Sequence, residues 1–547
     1  MRTPVRALVT GAAVLTALAL VPTPVSAAPA APAVPAAPAV PAPSYYTPPA
    51  PVWGKCASAT LQDFGAECAK VVVPLDYGKP KGAKIKLAVS RLKHTAKKYQ
   101  GVMLVNPGGP GGSGLIYSVF RDFIPNGAGQ GYDWIGFDPR GVGESEPRVS
   151  CDPNYAGYNR PRYVPASPAL EEAWMAKTNA YTKACDAKNG PILDHLTTVD
   201  SVKDMDSIRA ALGQKQINYY GFSYGTYLGQ VYADFYPQRL RRVVFDGTVD
   251  PRRIWYEANL DQDVAFDRNI DIWFGWLARY DSVYHLGKTQ AAVRSLFYRT
   301  QERLYDEPVS AQGGKLGGSE WTDAFLYAGY YQSTWTDLAQ VFSAFVNDQD
   351  VDVLEGAYLD ASGYGDDNGY AVYLGVQCTD TPWPKKWSIW KKDNWAIFAE
   401  APFETWANAW YNEPCRHWPA KARKQVKVDG KGVGSILMIN ETLDAATPYP
   451  GSIEVRKRFK KARLIAVEGG TTHSNSLAGN ACVDNRIAEY LADGSLPKRK
   501  SGNRADVTCD ALPQPDPTEA SAQRRAKVAG PDKAAVLKQL QKTAARP

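Results

Sequence analysis

The pentapeptide Gly221-Phe222-Ser223-Tyr224-Gly225 matches G-x-S-x-G. In that pattern the serine occupies a sharp strand-to-helix turn, its backbone strained and its hydroxyl aimed at the open edge of a sheet. The following helix N-terminus favours developing negative charge, so a serine there is a candidate nucleophile for acyl transfer. Glycine and serine are common, and the pattern alone is weak. Its context strengthens it: Ile217 to Tyr220 is a strand-type run before it and Thr226 to Tyr236 a helix-type run after it. A serine needs a general base. The chain offers His94, His195, His285, His417 and His473. Where such a turn is used, the chain order is nucleophile, acid, histidine. His94 and His195 precede Ser223, and His285 and His417 have no strand before them. His473 follows the strand-type run Leu464 to Val467 in a glycine-rich loop and is the expected base. The acid should follow the preceding strand, Ile436 to Ile439, where Glu441 and Asp444 compete. Asp444 is preferred as the carboxylate that would orient the imidazole. Asp246 and Asp250 read as loop or helix caps.

A tetrahedral intermediate also needs backbone N–H donors. One is expected from Tyr224, directly after the nucleophile, and the other from Gly109 in the loop Asn106-Pro107-Gly108-Gly109-Pro110-Gly111-Gly112-Ser113-Gly114. Without Cβ atoms, amides there can point into a pocket. Phosphate cradling is the rival use of such a loop, but no Gly-Lys-Ser/Thr ending follows. No cofactor and no metal is expected.

The elements around these residues alternate. Val71 to Val73, Ile85 to Ser90, Val102 to Val105 and Tyr132 to Phe137 are strand-type runs. Residues 198–212 carry apolar side chains at helical spacing, with Thr198 as a cap and Gly213 as the stop. Val243 to Phe245 is a further strand. This rhythm predicts an α/β fold of the α/β-hydrolase kind, its central sheet mostly parallel, with a large and mainly helical cap insertion. The expected organisation is a signal peptide at 1–27, an Ala/Pro-rich spacer or pro-segment at 28–51 and a first core part at 52–250. A cap (lid) at 251–425, a second core part at 426–512 and a polar tail at 513–547 follow. A separate domain is the alternative for the cap.

Arg2 and Arg6, the apolar run Ala7 to Val21 and the small residues Val25-Ser26-Ala27 form a secretory leader. No later run is long enough to span a membrane. The expected location is therefore secreted and extracellular, free or held at the cell wall. Eight cysteines fit an oxidising compartment and fall into sequence-adjacent couples: Cys56–Cys68, Cys151–Cys185, Cys378–Cys415 and Cys482–Cys509. The net charge of +7 is thinly spread; the densest basic run, Arg456 to Lys461, holds only Phe459 between its charges. A solvated helix face explains it better than nucleic-acid binding.

Taken together, several segments resemble a known family. They are Val73-Pro74-Leu75-Asp76-Tyr77, the loop 106–114, Asp138-Pro139-Arg140-Gly141-Val142-Gly143-Glu144-Ser145, the serine turn and the stretch Cys482 to Cys509. The set resembles the secreted tripeptidyl aminopeptidases of actinobacteria, relatives of proline iminopeptidases, over about residues 52–512. The resemblance implies a capped hydrolase that releases short peptides, typically tripeptides, from free N-termini, with Ser223, Asp444 and His473 as its triad. Proline iminopeptidases usually carry His-Gly-Gly-Pro-Gly in the oxyanion loop, where this chain has Asn106-Pro107-Gly108-Gly109-Pro110, so the tripeptidyl branch is nearer. The expected partners are peptides or proteins with free N-termini, whose ammonium needs an anion at a fixed distance from Ser223. Asp380 is the candidate, with Asp366, Asp367, Glu400 and Glu404 as competitors. A secreted carboxylesterase with the same triad, and a surface protein that has lost catalysis, are the other readings.

Overall fold

The computed structural model describes residues 46–430 and 432–518, together with Val536 and Leu540. The expected leader, most of the 28–51 spacer and most of the 513–547 tail lie outside them.

The strands are β1 (Gly54–Lys55), β2 (Glu67–Pro74), β3 (Lys84–Leu92), β4 (Val102–Asn106), β5 (Asp133–Phe137), β6 (Ile217–Phe222) and β7 (Leu240–Asp246), then the small hairpin β8 (Val309–Ser310) and β9 (Lys315–Leu316), and finally β10 (Ser435–Glu441), β11 (Ala462–Glu468) and β12 (Val507–Asp510). Apart from the hairpin they form one sheet, in the order β1-β2-β3-β5-β4-β6-β7-β10-β11-β12. From β5 to β12 all neighbours are parallel, and the antiparallel pairs are β1–β2, β2–β3 and β3–β5. The mostly parallel α/β architecture expected from the sequence is the one observed.

Strands buried on both faces need apolar residues throughout, and β4 and β6 are buried along their whole length. Successive side chains feed different cores. Val102 and Leu104 of β4, with Ile436 and Met438 of β10, pack on one face of the sheet. Met103 and Val105, with Leu437 and Ile439, pack on the other. The second core also takes in Val536 and Leu540, with Tyr117 donating its hydroxyl to the Leu540 carbonyl.

Between β7 and β10 the described residues form helices joined by loops, with the β8–β9 hairpin as their one strand pair and a non-helical stretch over 417–430; the longest helix is Tyr256–Arg279. This segment has its own apolar centre, built from Trp273, Phe274, Trp321, Phe342 and their neighbours. Its tryptophans are therefore mostly core.

The four expected disulfides are the four observed, and no described cysteine is free. Among the described residues no helix is long and apolar enough to cross a membrane. One cap differs from expectation: the side chain of Thr197, not Thr198, accepts from the amide of Asp200 at the start of the helix Thr198–Ala211.

Candidate active site

β6 ends at Phe222 and the helix Tyr224–Phe235 begins two residues later, so the chain must reverse at Ser223 alone. Ser223 does so with φ 53° and ψ −126°, a conformation that costs a non-glycine residue ~1–3 kcal/mol. The surroundings enforce it. The Ser223 amide donates to the carbonyl of Asp246 (3.0 Å), while the Thr226 amide and hydroxyl donate to the Ser223 carbonyl (2.8 and 2.7 Å). A Cβ on Gly221 would lie 2.5 Å from the Gly225 carbonyl oxygen, and one on Gly225 would lie 2.6 Å from that of Asn106. Both glycines are thus fixed by packing.

The parallel neighbours β7, β10 and β11 bring their C-terminal ends to the same edge. Asp444 follows β10, and His473 follows β11. The imidazole Nδ1 stands 2.9 and 3.0 Å from the two Asp444 oxygens, and both side chains are fully buried. Asp444 also accepts from the Thr447 amide (3.0 Å) and hydroxyl (2.8 Å). With Nδ1–H donating to this carboxylate, Nε2 is left as the acceptor. It lies 3.3 Å from the Ser474 hydroxyl, which also donates to the Asp246 carbonyl (3.2 Å), the same oxygen that receives the Ser223 amide. Base and serine turn therefore converge on the end of β7. Gly247, at φ +67°, leaves room there: a Cβ would lie 2.9 Å from the imidazole Cε1.

Glu441, the competitor for the acid, has a different role. Its Oε2 accepts from the amide of Thr472 (2.5 Å) and its Oε1 from the Asn475 side chain (2.8 Å), bracketing His473 from both sides. Burial pushes this carboxyl up to about 8, helped by the negative charges of Asp444 and Asp246. Asp246 itself, raised to about 6 by burial, accepts from the amide of Ser476 (2.8 Å). As the sequence suggested, it is structural.

The helical segment grips the same loops. The His473 amide donates to the Tyr330 carbonyl (2.8 Å), and the Tyr330 ring stands edge-on to the imidazole. Asn269 donates to the carbonyls of Leu443 (3.0 Å) and Thr471 (3.2 Å), and Gln262 to that of Ala446 (2.7 Å).

The loop after β4 lies against the serine turn. Gly108, at φ +102°, is so close that a Cβ would sit 2.6 Å from the Phe222 oxygen and 2.8 Å from the Ser223 Cβ. Gly109, Ser223 and Tyr224 all border a cleft of about 530 Å³ whose other walls include Trp255, Tyr330 and Tyr373. The charged residues of that cleft are Arg252, Arg253 and Arg268 against Asp250 and Asp261.

Asp380 is not among the cleft residues. Its carboxylate accepts from the Thr198 amide (2.7 Å) and hydroxyl (2.5 Å), and from the Trp255 indole (3.4 Å). It satisfies an orphan amide at the first turn of the helix Thr198–Ala211, and burial raises its carboxyl to about 7. The structure thus gives Asp380, expected from the sequence as the partner of a substrate ammonium, a helix-capping role away from the cleft lining. Asp367 is likewise spoken for by the amides of Cys151 and Asp152 and the hydroxyls of Ser150 and Tyr181. Asp366 pairs with Arg148. Glu404 is buried at the start of the helix Thr405–Asn412, and Glu400 is exposed; neither borders the cleft.

Sequence reasoning did not single out Thr447, Ser474, Tyr330 or Gly108. Thr447 lies three residues past Asp444, a spacing that could have suggested it. The other three owe their positions to tertiary contacts.

A serine on such a turn, at the C-terminal edge of a mostly parallel sheet and next to a buried Asp–His pair, defines an α/β-hydrolase. The family model for the alpha/beta hydrolase fold matches residues 101–336, and that for TAP-like proteins matches 401–524. The tripeptidyl aminopeptidase of Streptomyces coelicolor is 37% identical over 478 residues, which is 85% of this chain and 87% of that protein. Serine protease Hip1 of Mycobacterium tuberculosis is 29% identical over 81% of this chain and 89% of that protein. Carboxylesterase B of the same species is 29% identical over 82% and 90%. The chain belongs to the tripeptidyl aminopeptidase family of α/β-hydrolases and is a serine hydrolase.

Proposed function

We propose that the chain is an exported serine exopeptidase that releases short peptides, tripeptides foremost, from free N-termini. Ser223 Oγ attacks the scissile carbonyl while His473 Nε2 takes its proton, and Asp444 stabilises the imidazolium. The amides of Tyr224 and Gly109 receive the oxyanion. The imidazolium then protonates the leaving amine, and water activated by the same base hydrolyses the acyl-enzyme.

The observation that carries this reading is the buried Asp444–His473 pair beside a serine held at positive φ. The Streptomyces relative supports the tripeptide product and the Hip1 relative the serine chemistry. The segment 251–425 serves as a cap over a core made of 52–250 and 426–512, a division supported by the direct pairing of β7 with β10 across it. Export is supported by the four disulfides.

The carboxylesterase relative favours a second reading, the same triad acting on an ester. Turnover of a tripeptidyl anilide, its N-acetylated form and a simple ester tests both. The peptidase cleaves the free-amine anilide and loses most activity on acetylation; the esterase is indifferent to the acetyl group. In either case Ser223→Ala loses turnover and labelling by a fluorophosphonate. A labelled, active Ser223→Ala protein would refute both.

A further inference from the structure

A second cavity, of about 220 Å³, lies beyond the oxyanion loop. The helix Leu326–Tyr330 places Leu326 and Tyr327 in its wall and Tyr330 in the wall of the catalytic cleft. The helix Asn368–Asp380 does the same, with Gly369 and Tyr370 in the cavity and Tyr373 and Gln377 in the cleft. Gly111 of the oxyanion loop packs against the backbone of Gly369, so closely that a Cβ on it would collide with the Gly369 carbonyl. The two spaces thus flank the loop that carries Gly109.

Their chemistry differs. The cleft has three arginines against two aspartates at its wall. The cavity has four carboxylates, Asp323, Asp360, Asp366 and Asp367, against Arg160 and Lys177, and Asp366 is paired with Arg148 from outside the lining. Lys177 is held at one side of the cavity, its ammonium over the Tyr155 ring and donating to the Tyr155 carbonyl. Around these charges stand aromatic rings in contact: Tyr155 stacks on Tyr370 (centroids 5.2 Å), Tyr370 meets Tyr411 (4.4 Å), and Tyr163 stacks on Trp174 (5.3 Å). A box of π faces with surplus carboxylate is a receptor for an organic cation.

In the tetrahedral intermediate the acyl chain and the leaving group extend from the reacting carbon in different directions, on either side of the oxyanion donors. We infer that this second cavity takes the acyl side of the peptide and seats its N-terminal ammonium, with Asp323 as a carboxylate that meets it. The inference rests on the proposed peptidase activity. Asp323 suits this role because it holds the Tyr163 hydroxyl (2.9 Å) and Arg160 (2.7 Å) yet keeps part of its surface open. Arg160 is shared with the fully buried Glu320, so the trio retains a net negative charge. The same geometry limits product length, because a chain bound at its amino end in a finite cavity presents only a nearby carbonyl to Ser223.

The test compares wild type, Asp323→Asn and Ala361→Trp, the last narrowing the cavity from its wall without touching the ion pairs. Substrates are a free-amine trialanyl p-nitroanilide, its N-acetyl form, a version with lysine first and p-nitrophenyl acetate, with fluorophosphonate labelling of Ser223 alongside. Both variants are expected to lower kcat/KM on the free-amine peptide about tenfold or more, carried by KM. Ester turnover and labelling should stay near wild type. Unchanged KM in either variant, equal loss on the ester, or loss confined to the lysine peptide each overturns the inference. If wild type cleaves the ester but no anilide, the peptidase reading itself fails and this inference with it.

Discussion

Replacing Gly108 by alanine tests whether the oxyanion loop must press directly on the serine turn. The new Cβ would stand 2.6 Å from the Phe222 oxygen, where ordinary contact begins at 3.4 Å. The difference, 3.4 minus 2.6, means that the loop must retreat by 0.8 Å, since the obstructing atom is backbone at the end of a buried strand. The φ of +102° adds ~1–2 kcal/mol of strain for a residue with a side chain. A retreat of that size carries the Gly109 amide out of hydrogen-bond range of an oxyanion. Losing one such donor costs about 10²–10³ in kcat, or ~3–4 kcal/mol. The expected result is therefore a kcat on a tripeptidyl anilide reduced about a hundredfold or more, with KM little changed. Steady-state kinetics and a thermal melt of the same preparation read it. A variant that folds with wild-type kcat would show that Gly108 does not set the donor's position, and the oxyanion assignment would fall.

Two further outcomes follow from the buried carboxylates. Glu441, ordinarily near 4.5 and raised to about 8, binds its proton more tightly folded than unfolded, so it contributes stability that fades as pH rises from 4.5 to 8. The contribution is at most ~5 kcal/mol. Glu441→Gln should flatten the fall in Tm across that window, and an unaltered pH profile of Tm would refute the burial argument. Asp380→Ala leaves the Thr198 amide and the Trp255 indole without this acceptor, and the Thr198 hydroxyl with only that of Tyr224, which should cost ~2–4 kcal/mol of stability. Peptidase KM should hold; a stable variant with KM raised only for free-amine peptides would return Asp380 to the role first expected of it.

The sheet was legible because β4 and the middle of β10 are continuous apolar runs, and the serine turn because its two glycines sit between a strand and a helix at fixed spacing. His473 and Asp444 could be approached by elimination, since only five histidines exist and chain order removes two. β12 was not legible: Val-Thr-Cys-Asp has almost no apolar signal and owes its place to pairing with β11 and to the Cys482–Cys509 bridge. The capping bond of Asp380 was not legible, because its partner, the Thr198 amide, is 182 residues away in the chain. The clamp by Glu441 was hidden for the same reason. Its meaning depends on which amides face it, and no periodicity records that.

The grip of Asn269, Gln262 and Tyr330 on the loops bearing Asp444 and His473 has a mechanical consequence. A lid that swung away as one body would have to break these bonds, which tie it to the loops bearing Asp444 and His473. The helical layer is therefore a wall of the site as well as a cover, supplying Trp255, Tyr330, Tyr373 and Gln377 to the cleft.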